Sequence, residues 1–175
     1  MQADEYGELH SPQFHKNLSE YAAAANIPVE YITRSAADLV PVKVGEWLLQ
    51  YPKRMSLVVN LRDTEWDEDK VCFAMAGMLT RNLLLARVLS MPQFFEAVKA
   101  NKSSDPTCLL LPGFHGKSAI DIPDWNKTLL LDALREREML GKRTVLVIRN
   151  QANLATVFGT ALVEYIQSKF EMVKA

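Results

Sequence analysis

Two stretches of this chain carry residue types at spacings that do chemistry in other proteins. The first is Leu61–Asp69, LRDTEWDED, which sets Asp63, Glu65, Asp67, Glu68 and Asp69 around Trp66, with Lys70 directly after. It joins an apolar run, Met55–Asn60, to a helical pattern over Lys70–Asn82. Such a strand-to-helix turn is where many α/β proteins hold phosphate, through bare N–H groups at the helix N-terminus, close-approach glycines and a Lys-Ser/Thr pair. This turn has no glycine, and its carboxylates repel a polyphosphate. It also lacks the alternating ligands and central glycine of a calcium-binding EF-hand loop. A solvated acidic turn is expected, with Asp67–Asp69 complementing the dipole of the following helix. Trp66 either folds back on the core or is offered to a partner.

The second stretch is Gly113–Ser118, GFHGKS. A phosphate-binding loop GxxxxGK[ST] has four residues between its glycines; here only Phe114 and His115 intervene. Pro123 in the following AIDIPDW keeps a helix from starting at once, so an ordinary turn is expected. His10, His15 and His115 are dispersed, and no Cys/His spacing resembles a zinc site, so neither metal nor cofactor is expected. No GxSxG nucleophile elbow is present. Arg135, Arg137, Lys142 and Arg143 gather at a helix C-terminus, where the dipole alone favours cations.

The elements that position these residues are legible as runs and punctuation. Met1–Lys16 is polar and aperiodic and reads as a loose arm; residues 17–175 read as one domain. Asn17 is a candidate cap for LSEYAAAA, and Ala36–Gln50 has a helical pattern around Pro41 with Val44, Trp47 and Leu48 on one face. Met55–Asn60, Ala86–Ser90, Thr107–Leu111 and Arg143–Ile148 are apolar almost without alternation, as strands buried on both faces of a parallel sheet are. Between and after them, Pro92 opens PQFFEAVKAN, and Asp124 is a candidate cap for WNKTLLLDALREREML, which Gly141 ends. Asn153 is a candidate cap for LATVFGTALVEYIQSKF, and FEMV reads as a last strand. Strands alternating with helices predict a three-layer α/β sandwich with a parallel sheet.

Bulk composition narrows the class. With 175 residues, 49% of them hydrophobic, and a net charge of −1, the chain has no need of staples and is not a general coat for DNA or membrane. Cys72 and Cys108 lie inside apolar runs and read as core thiols of a reducing compartment. No apolar stretch approaches the roughly 20 residues of a membrane helix, and the polar N-terminus is unlike a signal peptide. A soluble, cytoplasmic protein with no membrane partner is expected.

Taken in order, the runs from about Ile27 to the C-terminus resemble the AAA+ domain of bacterial replicative-helicase loaders and of the related ATPases that assist insertion-sequence transposases. MSLVVN resembles the strand before the Walker A loop. MLTRNLLLARVLSMPQFFEAVK resembles the next helix, strand and helix, and CLLLPGF the Walker B strand. DALREREMLGKRTVLVIRN resembles the sensor 1 segment, and FGTALVEYIQSKFEMV the segment that carries the arginine finger. The resemblance is one of layout. LRDTEWDED replaces the Walker A glycines and Lys-Thr, with Lys70 near the expected lysine; Pro112-Gly113 replaces the paired Walker B acids; and Ala161 and Tyr165 stand where the family has arginines. Only Asn150 stands where sensor 1 has its polar residue.

The resemblance implies a truncated and degenerate AAA+/P-loop-NTPase-like fold that does not hydrolyse ATP. Its expected function is that of an inactive accessory or adaptor protein of DNA replication or recombination, acting on an AAA+ ATPase or replicative helicase. Residual nucleotide contact would fall to Lys70, Lys117, Ser118 and Asn150. The positions matching the family's pore-facing loops, which touch single-stranded DNA, are Lys99, Lys102, Lys117, Trp125 and Lys127; lysine beside an aromatic suits backbone attraction with base stacking. Asp63, Glu65, Trp66 and Asp67 are the candidate partner face, including self-assembly into a homo-oligomer. The alternatives are an active nucleotide-binding enzyme using Gly113–Ser118, and an inhibitor of a helicase or loader.

Overall fold

A computed structural model describes residues 17–114, 123–150 and 152–175, the last of these without the side chains of Ala152 and Asn153. The N-terminal arm and His115–Ser118 of the GFHGKS stretch lie outside the described residues. The chain begins with α1 (Leu18–Ala25), α2 (Glu30–Thr33) and α3 (Val42–Gln50). Then β1 (Ser56–Asn60), α4 (Glu68–Arg81), β2 (Ala86–Val88), α5 (Met91–Lys99), β3 (Cys108–Leu111), α6 (Asp124–Met139) and β4 (Arg143–Ile148) alternate. It ends with α7 (Ala152–Phe158), α8 (Thr160–Lys169) and β5 (Phe170–Lys174). The strands form one sheet in the order β2-β3-β4-β1-β5, and every neighbouring pair is parallel.

The near-continuous apolar strands have the cause expected of them, because successive side chains enter two different cores. Leu57 and Val59, Cys108 and Leu110, and Val145 and Val147 face one cluster, covered by α1 to α4 through Ala25, Ile32, Trp47 and Met75. Val58, Leu109, Leu111, Leu146 and Ile148 face the other, covered by α5 to α8 through Phe94, Leu130, Phe158 and Ile166. Two helical layers therefore sandwich the sheet.

Element ends depart from the sequence reading. Asn17 makes no capping bond; α1 is fixed instead at its far end, where Asn26 takes a left-handed φ of 56°. Helix α3 starts only after Pro41, whose ψ of 146° is extended, so Ala36–Val40 does not belong to it. Pro123 occupies the cap position of α6, and Asp124 lies inside its first turn. One helix expected over 154–170 is two, because Gly159 at φ 85° breaks it. Ser90 and Gln93 close a capping box on α5, and Asp67 caps α4 by accepting the Lys70 N–H at 2.9 Å.

Candidate functional site

In a parallel α/β sheet, ligands bind beyond the C-terminal ends of the strands. Here β3, β4 and β1 end side by side, and the segments leaving the outer two clasp the middle one. The Leu61 N–H donates to the Ile148 carbonyl at 2.8 Å, and the Phe114 N–H donates to the Val147 carbonyl at 2.9 Å. The acidic turn folds tightly over this end. Asn60 Oδ1 accepts the Arg62 N–H at 3.0 Å, the Thr64 hydroxyl donates to the Leu61 carbonyl at 2.8 Å, and Asp63 takes a left-handed φ of 60°. Trp66 folds back, half-buried, against the first core.

The residue that organises the turn is Arg149, the first after β4. Its Nε pairs with Glu68 Oε1 at 2.9 Å, and the Glu68 side chain is only 17% exposed. Its Nη1 donates to the Thr64 carbonyl at 3.2 Å, and its Nη2 donates to the Trp66 carbonyl. Across the site, Gly113 has a φ of 62°, and a Cβ there would stand 3.2 Å from Glu68 Oε2. The Glu68 carboxylate thus lies where the ends of β1, β3 and β4 converge. Sequence reasoning missed Arg149; the only signal was a cation placed directly between a buried strand and the sensor-like Asn150.

Of the residues proposed for nucleotide contact, Lys70 lies exposed in the first turn of α4, Asn150 is half-buried beyond β4, and Lys117 and Ser118 lie outside the described residues. A phosphate approaching the head of α4 meets carboxylates. Asp67 already occupies a first-turn N–H, and Glu68 and Asp69 follow it. One unit charge about 4 Å from another of like sign costs on the order of 4 kcal/mol at near-surface screening. Desolvation, and then Asp67, push the Asp69 carboxyl above its ordinary pKa. Asp63, Glu65 and Asp67 are all exposed.

A second surface joins α5 to α6. Lys99 Nζ lies 5.9 Å from the centre of the Trp125 ring, and Trp125 is 58% exposed. Two of the lysines that could draw a phosphate backbone here already have carboxylates: Lys99 pairs with Glu96 at 2.8 Å and Lys127 with Asp124 at 2.7 Å. That hydrogen bond and charge hold the Asp124 carboxyl below its usual value. Lys102 is exposed beyond the end of α5.

Other titratable groups are committed to the interior. The Tyr165 hydroxyl bridges the Leu134 carbonyl and Glu138, each at 3.1 Å. Burial raises the Cys72 thiol well above its ordinary value and pushes Cys108 up to about 12, so both are unreactive core thiols. Among the described residues, no group of three or more His, Cys, Asp or Glu is placed to hold a metal ion, and no helix is long and apolar enough to cross a membrane.

No protein-family model matches the chain, and no curated protein matches it. Solved structures do. A DnaC helicase loader superposes with a TM-score of 0.63 at 13% identity, covering 83% of this chain and 98% of the loader. DnaI gives a TM-score of 0.64 at 14% identity, covering 85% and 94% respectively. The replication initiator DnaA, bound to AMPPCP and single-stranded DNA, gives 0.57 at 13% identity, covering 75% of this chain. The chain spans less than half of that initiator, 43%. At these identities the likeness is one of architecture: the chain has the five-stranded, all-parallel AAA+/P-loop-type fold of the helicase loaders.

Proposed function

We propose that this chain is a catalytically inactive AAA+-like accessory or adaptor protein of DNA replication or recombination, working in the cytoplasm. It acts by binding a protein partner, a replicative helicase or a loader-type ATPase, independently of nucleotide. The observation that carries the reading is the head of α4, where Asp67, Glu68 and Asp69 stand in a turn without glycine and Arg149 is spent on Glu68 and the turn's own carbonyls. Those residues do not fit a nucleoside triphosphate with its magnesium. The fold shared with helicase loaders supplies the context for the partner, and the exposed Asp63, Glu65 and Asp67 supply a surface for its basic groups. Single-stranded DNA is the secondary ligand of this reading, stacking on Trp125 beside Lys99. With Lys99 and Lys127 already paired to carboxylates, that contact is weak and salt-sensitive.

The test is calorimetry with ATP and ADP in the presence of magnesium, then light scattering of the chain mixed with a replicative helicase, with and without nucleotide. We expect no heat and a complex indifferent to ATP. Micromolar nucleotide binding that Lys117→Ala abolishes would sink this reading in favour of an unconventional enzyme at Gly113–Ser118. A complex that forms but blocks helicase loading would make the chain an inhibitor.

A further inference from the structure

The same site carries a further step, which rests on the nucleotide-independent reading above. The Arg149 guanidinium places a cation beside the first turn of α4, where the ends of β1 and β4 meet. In a nucleotide-binding relative of this architecture an anion from outside would stand there. Here the chain brings its own. Glu68 is the carboxylate that reaches inward: its side chain is 17% exposed and 2.9 Å from Arg149 Nε. Asp67 is spent on the Lys70 N–H, and Asp69 is exposed. The other Glu68 oxygen faces Gly113, where a Cβ would stand 3.2 Å away, so the residue that follows Pro112 leaves room for the carboxylate. An exposed ion pair contributes little. This one differs because the same guanidinium also holds the Thr64 and Trp66 carbonyls, so its position fixes the turn as a whole.

We propose that Glu68 is a built-in anion standing where a phosphate would stand at the head of α4, and that with Arg149 it keeps the turn 61–67 closed in one conformation. Nucleotide then neither creates nor removes that conformation, and the face bearing Asp63, Glu65 and Asp67 is permanently displayed. Glu68 is a positioning residue in this scheme, acting through Arg149.

The experiment is amide hydrogen exchange of residues 61–67 in the wild-type chain and in Glu68→Ala and Glu68→Gln. Exchange in β5 serves as the check that each variant is folded. Losing a charge-assisted contact raises exchange in the turn by about tenfold or more in both variants. The distinguishing readout is rescue by a free anion. Inorganic phosphate, which can pair with the Arg149 guanidinium in place of the lost carboxylate, restores protection in Glu68→Ala, while sodium chloride at equal ionic strength does not, and the wild type responds to neither. A turn as protected in Glu68→Gln as in the wild type would show that size and not charge holds it, and would overturn the proposal. So would a loss in Glu68→Ala that phosphate leaves unrepaired. Either failure leaves the chain's indifference to nucleotide standing. Protection of the wild-type turn by magnesium-ATP would overturn both.

Discussion

Arg137 is a guanidinium with no exposed surface whose hydrogen-bond partners are all neutral. Its Nε donates to the Thr144 hydroxyl at 3.0 Å, its Nη1 to the Ser103 and Pro106 carbonyls at 2.8 and 3.1 Å, and its Nη2 to the Arg143 carbonyl at 2.6 Å. Burial lowers its pKa to about 10, which still leaves it charged at neutral pH. The cost of that buried charge is offset by four bonds of the stronger, charge-assisted kind. They tie the last turn of α6 to the segment entering β3 and to the first residues of β4. Arg137→Met removes the donor of all four bonds, and we expect a loss of about 3 kcal/mol in urea unfolding. Arg137→Lys keeps the charge but offers a compact ammonium in place of a planar fork, so it should recover only part. A methionine variant within the error of the wild type would show that the clamp contributes nothing. The dipole argument that put Arg135, Arg137, Lys142 and Arg143 together was too coarse to separate them. The finer signal was present: Arg137 continues the stripe Leu130, Ala133, Leu134 at helical spacing, and that stripe is buried. Arg135, two residues away, keeps a side chain 54% exposed.

At the scale of elements, what was legible followed from apolar runs, and what was not followed from backbone turns. Strands β1 to β4 were readable because burial on both faces removes alternation, a pattern that survives in the sequence, whereas the edge strand β5 keeps a partly exposed face through Glu171 and Met172. Helix ends were less so, because the left-handed residue that ends a helix need not be glycine. Gly141 announced itself, but Asn26, Leu83 and Asn101 adopt the same conformation, with φ of 56°, 58° and 54°. In each case the next N–H reaches back into the last turn, as the Leu84 N–H does to the Leu79 carbonyl at 3.0 Å. Glycine in mid-helix was uninformative in the sequence and is decisive in the structure. Gly77 lies within α4, where alanine is ordinarily better by about 1 kcal/mol. A Cβ there would come within 2.1 Å of the Tyr31 carbonyl oxygen, because α2 packs directly on the α4 backbone. Gly77→Ala must push the two helices apart, and overpacking against backbone outweighs propensity. We expect a loss of about 3 kcal/mol, read as a melting temperature lower by roughly 10 °C. An unchanged or higher melting temperature would mean that α2 is not seated as described.

The whole molecule is held by a sheet that both helical layers share, which sets how it comes apart. Val58, Leu109, Leu111, Leu146 and Ile148 are each fully buried beneath α5 to α8. Lifting that layer alone would bare these strand side chains at a cost of roughly 10 kcal/mol, as much as the entire stability of an ordinary domain. The opposite layer is bound by the same logic through Leu57, Val59, Cys108, Leu110, Val145 and Val147, all without exposed surface. The open edge at β2 is partly closed as well, since Asn26 Nδ2 donates to the Val88 carbonyl at 2.8 Å. Neither layer can therefore leave as an independent unit, and residues 17–175 should unfold in one step. Trp47, 1% exposed within the first core, reports one face when Trp66 and Trp125 are replaced by phenylalanine. Exchange of the amides of Leu130–Leu134 reports the other. The two probes should give one urea midpoint and one unfolding free energy. Separated midpoints would mean that the layers are distinct cooperative units, and that the single domain expected from the sequence is two.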